Sequence, residues 1–314
     1  MKNTIYDLTQ NWQDRDFLIN PFLGDAPFFA NIPMKETNAK LANVTTTVKD
    51  IEVPQIVEFD APLPDIRTSF EKSFAVLGKV GGKMSIGLDK IKLLEGGLEA
   101  YIAAQMEPIM NKTGQDFDRS FLYAVVKKFC LEHVADCVTR VLTGQSAQTG
   151  YYSMIGISMK RGENCGLYSP ALNANGQGKL FELIPVNNGA VTKIKNDKGE
   201  EILGKEVAIQ TYLGLQLPRK DRVHVLGNIS LTADNGIPTP DKLLEFISTF
   251  ATGDAEADMV FCHPTLINAI RAKYMRDNQH ADFIRYENGS LFIDDVRVIK
   301  DKNMLKGTEA AIVD

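Results

Sequence analysis

The sequence has 314 residues, 44% of them hydrophobic and 24% charged, enough apolar material for one large or two smaller cores and too much for a disordered chain. With 35 Lys+Arg against 40 Asp+Glu, a formal net charge of −5, it has no basic footprint for neutralising phosphates, which argues against tight sequence-specific DNA or RNA binding. Four cysteines without regular spacing (Cys130, Cys137, Cys165 and Cys262) make no disulfide framework, so reduced thiols are expected.

The N-terminal stretch MKNTIYDLTQNWQDRDF lacks the basic start and apolar run of a secretory signal, and no stretch approaches the roughly 20 apolar residues that span a bilayer; synthesis in the cytosol is expected. A short helical pattern is then broken at NPFLGDAPFFANIP, where Pro21, Pro27, Pro33 and Gly24 prevent long regular structure, so residues 1–43 are expected to form an arm. From Val44 to about Gly82 the pattern turns β-like: VTTTVKDIEV is rich in β-branched residues, and Val57, Phe59 and Ala61 alternate with Glu58 and Asp60. Pro54, Pro62 and Pro64 keep such strands at an edge or in a hairpin. The stretch is rich in charge (Lys49, Asp50, Glu52, Glu58, Asp60, Asp65, Arg67, Glu71, Lys72), and a hairpin projecting from the body over about residues 44–88 is predicted.

In residues 116–142, Phe117, Phe121, Val125, Val134, Val138 and Val141 recur at steps of about three and four, which predicts an amphipathic helix on the order of 40 Å long. Asp116 and Asp118 suit its N-terminal end and Gly144 its stop. Downstream, VAIQTYLGLQL places Val207, Ile209, Thr211, Leu213, Leu215 and Leu217 on one face. After PRKD, RVHVLGNI does the same with Val223, Val225 and Ile229, so the two strands are expected to pair as a hairpin. A turn at Asn196–Gly199, a helix from about Pro240 to Phe250, the strand DMVFC, the helix PTLINAIRAKYM and the strands SLFIDD and VRVIK complete an α+β body.

Few residues look chemical. Cys262 and His263 invite a catalytic or metal reading, but neighbours on an extended strand point to opposite faces, and Pro264 suits the first position of a helix with His263 at its N-cap; the pair reads as a strand-to-helix turn. Cys130, His133 and Cys137 form an i, i+3, i+7 stripe. On one continuous helix the two thiols would stand about 10 Å apart along the axis, too far to share a zinc ion. LGKVGGKMSIG fails as a phosphate loop, having Leu77 and Met84 where Gly and Ser or Thr are needed, so Gly81 and Gly82 are expected to serve a bend in the hairpin. His224 is expected on the polar side of its strand without a partner, and Asp116/Asp118 and Asp294/Asp295 read as a helix start and a turn. No nucleophile, base and orienting group come together: no catalytic, cofactor-binding or metal-binding residue is assigned, and a structural rather than enzymatic role is expected.

The order of elements resembles the major capsid protein of tailed bacteriophages, with the Hong Kong 97 type fold. INPFLGDAPF is similar to the N-terminal-arm segment of one branch, VTTTVKDIEVPQIVEF to the first strand of the extended loop, TGQDFDRSFLYAV to the start of the spine helix, and GKLFELIPVNNGAV to a strand followed by a small-residue loop. TYLGLQLPRKDRVHVLGNIS and VFCHPTLINAIRAKY followed by SLFIDDVRVIKDKNML resemble its later hairpin and its strand–helix–strand ending. The resemblance covers roughly residues 7–306, and no cross-linking Lys or Asn can be matched.

It implies an N-terminal arm (1–43), an extended loop (44–92), a peripheral domain with the spine helix (93–175), an axial-type α+β domain (176–290), and return strands with the C-terminus (291–314). It also implies a coat protein that assembles with itself into hexamers and pentamers of an icosahedral shell in the host cytoplasm and resides in the virion capsid. Separate scaffold, portal and possibly decoration proteins would be partners, and packaged double-stranded DNA would be enclosed without sequence readout; no membrane or cofactor is implied. Two other readings stay open: an encapsulin-like bacterial compartment shell, and a cytosolic enzyme with an unrecognised site.

Overall fold

The computed structural model describes residues 4, 18–39, 41–51, 68–93, 95–145, 148–169, 180–196, 198–274, 283–287 and 289–313. Glu52, Glu58, Asp60, Asp65 and Arg67, together with the three prolines expected at the hairpin edge, lie outside these.

Residues 18–34, expected as an arm, are packed into the centre of the molecule. Two short helices, α1 (Asn20–Gly24) and α2 (Pro27–Asn31), carry proline in their first two positions, where a missing N–H costs nothing. Phe22, Phe28, Phe29 and Ile32 are fully buried. Their rings form a continuous cluster with Phe117, Phe121, Phe181 and Phe261, at centroid separations such as 5.2 Å for Phe22–Phe181 and Phe28–Phe261 and 4.9 Å for Phe29–Phe121. Such edge-on aromatic contacts add to the burial each ring already contributes. The prolines read as breakers shorten the helices without expelling the segment.

After β1 (Met34–Glu36), β2 (Ala42–Ile51) and β3 (Thr68–Val76) form a two-stranded sheet, in antiparallel register from Ala42↔Val76 to Ile51↔Thr68. This is the root of the expected projecting hairpin. It joins the body where the Leu77 N–H donates to the Leu41 carbonyl at 2.9 Å. The expected extent to residue 88 is too long, because β4 (Gly78–Gly87) belongs to a sheet of the body. Gly81 and Gly82 therefore serve no bend. A Cβ on Gly81 would stand 2.1 Å from the Ile209 carbonyl oxygen, so glycine here permits close approach of two paired strands.

α3 (Leu88–Leu93) leads to the dominant helix, α4 (Gly97–Ser120), which continues through a π-helical segment (Phe121–Lys127) into α5 (Lys128–Glu132). Residues 97–132 thus run on the order of 50 Å. The helix expected at 116–142 begins about twenty residues earlier and ends about ten earlier. His133 breaks it with φ −128° and ψ 48°; one turn, α6 (Val134–Cys137), follows, and the β-branched Val138 opens β5 (Val138–Arg140). Val138 and Val141, which extended the helical pattern, belong to or follow a strand. Pro108, at an exposed position, and Gly114 sit inside the helix.

The remaining strands are β6 (Thr149–Ser158), β7 (Cys165–Tyr168), β8 (Glu182–Pro185), β9 (Thr192–Lys195), β10 (Glu201–Gln216), β11 (Val223–Ile229), β12 (Asp258–Cys262), β13 (Ile284–Glu287), β14 (Ser290–Ile293), β15 (Val296–Lys300) and β16 (Glu309–Ala310). One sheet runs β1-β7-β10-β4, with β8 and β9 also on the long strand β10; the other runs β13-β14-β15-β12-β6-β11-β5, with β16 on β6. The hairpin expected between 207–217 and 223–229 does not form, since β10 and β11 lie in different sheets. Alternation shows which face of a strand is buried but not which neighbour it pairs with. Burial at Val207, Ile209, Thr211 and Leu213 is as expected.

The eight-stranded sheet divides the interior. Met259 and Phe261 of β12 face the aromatic core under the long helix. Val260 and Cys262 face a second core, built with α7 (Pro240–Phe250) and α8 (Pro264–Tyr274). α7 and β12 have the bounds their local signals predict, and α8 starts at Pro264 as expected; Thr239 caps α7 by accepting from the Lys242 N–H at 3.4 Å. Asp294 and Asp295, at φ 47° and 65°, form the expected two-residue turn between β14 and β15.

Helix α4 meets α1 at Gly114, where a Cβ would lie 2.3 Å from the Phe22 carbonyl oxygen. Gly114→Ala is expected to cost about 1–3 kcal/mol through this clash, even though it raises helix propensity. A denaturant titration showing unchanged or increased stability would refute the close approach.

Candidate functional site

Cys262 ends β12 inside the second core, with its thiol held well above the usual range by burial and 3.6 Å from the His263 carbonyl oxygen. His263 Nδ1 accepts the Thr265 N–H at 3.1 Å and its carbonyl accepts the Leu266 N–H at 3.0 Å, so the imidazole caps α8 and its single proton is on Nε2. The strand-to-helix turn is present, and the thiol and the ring have separate tasks.

The cysteine stripe takes a different shape from the expected one. Because the helix breaks at His133, Cys130 and Cys137 do not lie on one continuous helix, and the Cys137 thiol donates to the Lys220 carbonyl at 3.4 Å. Burial raises both thiol pKa values. His133 turns Nδ1 toward the Phe129 carbonyl at 3.0 Å, away from a shared site with them. Among the described residues no group of three His, Cys, Asp or Glu side chains is placed to hold a metal ion.

His224, expected to be polar-facing, is 4% exposed. Its Nε2 lies 2.9 Å from Thr139 Oγ1 and its ring packs near Phe246, with burial pushing its pKa down to about 4. Asp116 is a half-buried mid-helix residue, paired with Lys112 at 3.1 Å rather than at a helix start.

Asp118, two residues on, is fully buried. Its Oδ1 accepts the Phe28 N–H at 2.9 Å and the Phe29 N–H at 3.4 Å. These are donors of the first turn of α2, whose own N-cap, Ala26, has no side chain to offer, so the long helix supplies the cap from ninety positions away. Asp118 Oδ2 accepts from Asn303 Nδ2 at 3.2 Å, and Asn303 Nδ2 also donates to the Asp25 carbonyl at 2.7 Å. Beside it stands the buried Asp301, a second acid that sequence reasoning did not place there. Burial, with the Asp301 charge second, lifts the Asp118 pKa to about 9.

A second polar node lies farther along the same helix. Tyr123 and Lys127, four residues apart in the π-helical segment, both reach Glu309 of β16: the phenol donates at 2.6 Å and the ammonium at 2.5 Å. Ser153 Oγ on β6 donates to the same carboxylate at 2.6 Å, and the Tyr123 oxygen accepts the Leu305 N–H at 3.0 Å. Lys127 and Glu309 side chains are only 10% and 3% exposed. Farther on, Asn228 exchanges hydrogen bonds with both backbone groups of Ile312, and Arg140 donates to the carbonyls of Ile312 and Val313. Residues 301–313 therefore form a strap laced across the long helix and the eight-stranded sheet. The arrangement can fix chain segments rigidly, and nothing in it aligns a nucleophile with a base.

No family model and no curated protein matches the sequence. Solved structures do share the fold. A chain in the cryo-EM structure of bacteriophage epsilon15 aligns with a TM-score of 0.55 at 10% identity, over 89% of this chain and 87% of that one. The bacteriophage JBD30 capsid gives 0.46 at 8% identity, with 88% and 90% covered. The SrpI encapsulin of Synechococcus elongatus PCC 7942 gives 0.39 at 13%, with 64% and 86% covered. The chain has the α+β, Hong Kong 97 type fold that its order of elements resembles.

Removing either partner of the Lys127–Glu309 pair leaves a charge buried without compensation, so Lys127→Met and Glu309→Leu are each expected to cost about 3–5 kcal/mol, and together less than their sum. A double-mutant cycle in denaturant showing simple additivity would mean that the two groups do not interact.

Proposed function

We propose that this chain is the major capsid protein of a tailed double-stranded DNA phage, a structural protein that assembles with copies of itself into hexamers and pentamers of an icosahedral shell. The observation that carries this reading is the match of fold with the bacteriophage epsilon15 chain along nearly the whole of both chains. The division of the structure supports it. A body held by two sheets and a long helix carries a hairpin that forms a two-stranded sheet and exposes Phe74 and Val76, at 68% and 71%, near a groove lined by Val125, Phe129, Leu215 and Leu217. Exposed apolar groups of this size on a projecting element suit contact with a neighbouring copy.

On this reading the charges of residues 44–72 meet a neighbour, and each weak contact is repeated around closed rings. Scaffold and portal proteins would be supplied separately, and possibly decoration proteins. A mildly acidic shell would enclose DNA without adhering to it. No helix of the described residues is long and apolar enough to cross a membrane. Assembly would take place in the host cytoplasm, with the mature protein in the virion capsid.

Electron microscopy and sedimentation of the purified chain test the reading: rings, capsomers or shells are expected, and a species no larger than a tetramer under all conditions would reject it. The hairpin is tested by replacing residues 44–74 with a short Gly-Ser linker, which residues 41 and 77 are close enough to accept. The product should remain soluble and melt cooperatively without assembling. Assembly of the parent should also weaken in 1 M salt, where exposed charges are screened beyond about 3 Å. Shells that still close without the hairpin would show that it is not the clasp.

A further inference from the structure

We propose that Asp118 and Asp301 form a proton-binding site, in which one hydrogen held between the two carboxyl groups fastens the C-terminal strap to the long helix. Asp118 already has all its donors: two backbone N–H groups of α2 on one oxygen and the Asn303 amide on the other. Asp301 Oδ1 accepts the Asn303 N–H at 2.8 Å, while its Oδ2 is buried with no donor in reach. A buried carboxylate oxygen without a donor is costly, and two ionised carboxylates side by side repel. One hydrogen between them resolves both problems, because the protonated carboxyl becomes a donor to the other.

Of the surrounding charges, His263 and Lys302 act on Asp301 and favour its charged form, but neither donates to its Oδ2. From the strap, Lys302 is turned to Asp25 at 2.5 Å, with its side chain 60% exposed. From α4, Gln115 also donates to Asp25, and the Tyr123 phenol is committed to Glu309. From the end of β12, Cys262 is a thiol whose pKa burial raises, and His263 has its pKa lowered by burial and is neutral above its ordinary range. Lys306 faces His263, and the Lys127–Glu309 pair is closed on itself. Desolvation raises both members of the acid pair.

The sign of the pH dependence follows. The folded state keeps a proton that the unfolded chain releases near the ordinary carboxyl pKa of about 4. The site's contribution to stability is therefore complete below that pH and is lost progressively as pH rises toward about 9. Loss of the proton to solvent leaves two negative charges in a dry junction.

Asp301→Asn mimics the protonated acid: its amide can donate to Asp118 while its carbonyl still accepts the Asn303 N–H. The unfolding midpoint of the wild-type chain, relative to that of D301N, should fall by several degrees between pH 5 and pH 9. Infrared spectra of the wild type should show a protonated carboxyl at neutral pH that disappears near pH 9. A pH-independent difference between the two proteins, or a wild-type spectrum without that band, would overturn the proposal. If D301N does not fold, titration of the wild-type band decides alone. Neither readout requires assembly, so the result stands apart from the shell reading.

Discussion

Everything in the body is referred to one close contact, the seating of residues 18–34 against the long helix. A carbonyl oxygen of Phe22 occupies the space where a side chain at position 114 would begin, so the two backbones touch at glycine. One turn further along the same helix, Asp118 takes the free N–H groups of α2. Steric fit and hydrogen bonding thus specify the same register, and a slide of α1 and α2 along the helix would lose both. The aromatic cluster follows from that register, because Phe22, Phe28 and Phe29 reach Phe117, Phe121, Phe181 and Phe261 only when it is kept.

The strap closes the same junction from the other end of the chain. Asn303 bridges the Asp25 carbonyl and Asp118, so a single amide joins α1, α4 and the residues after β15. Glu309 then binds the helix and β6 together through Lys127, Tyr123 and Ser153. Because residues 18–34 and 301–313 meet on one helix, neither segment could loosen by itself at little cost. Buried polar groups of this kind add less net stability than apolar residues of the same volume, but they penalise every arrangement in which a partner is missing. Their contribution is to geometry more than to total free energy.

What could be read from the sequence divides along the range of the signals. Thr239-Pro240 and His263-Pro264 announce helices by chemistry confined to a few residues, and α7 and α8 start where expected. The long helix was legible in kind but displaced: its first twenty residues hold Pro108 and Gly114, the latter required by a neighbour far away in sequence. Strand alternation identified the buried face of 207–213 correctly and could not tell that β10 and β11 part into different sheets. The polar nodes were invisible for the same reason: Asp118 with Asp301, and Lys127 with Glu309, are pairs joined only by the finished fold. The one available hint was a weak one, an aspartate placed among Phe117, Phe121 and Leu122 on an otherwise apolar stripe.

The layout of β10 sets the direction of any association. Its register with β4 runs from Leu213↔Gly78 to Gly204↔Gly87, and beyond Gly78 the chain continues beside Leu215–Pro218 as Phe74–Val76. The hairpin therefore leaves the body at one end of β10, while the turn between β9 and β10 lies at the other. Residues 68–76 and 78–87 together are extended chain on the order of 60 Å long. On the shell reading, a contact between one copy's hairpin and the body of the next, repeated in one direction, is heterologous. Such interfaces close into rings when the rotation between copies divides a full turn and run on as filaments when it does not. On that reading the body would stay stiff while the projecting hairpin adjusts to the rotation. On the shell reading, this combination allows the same chain to close rings of five and of six.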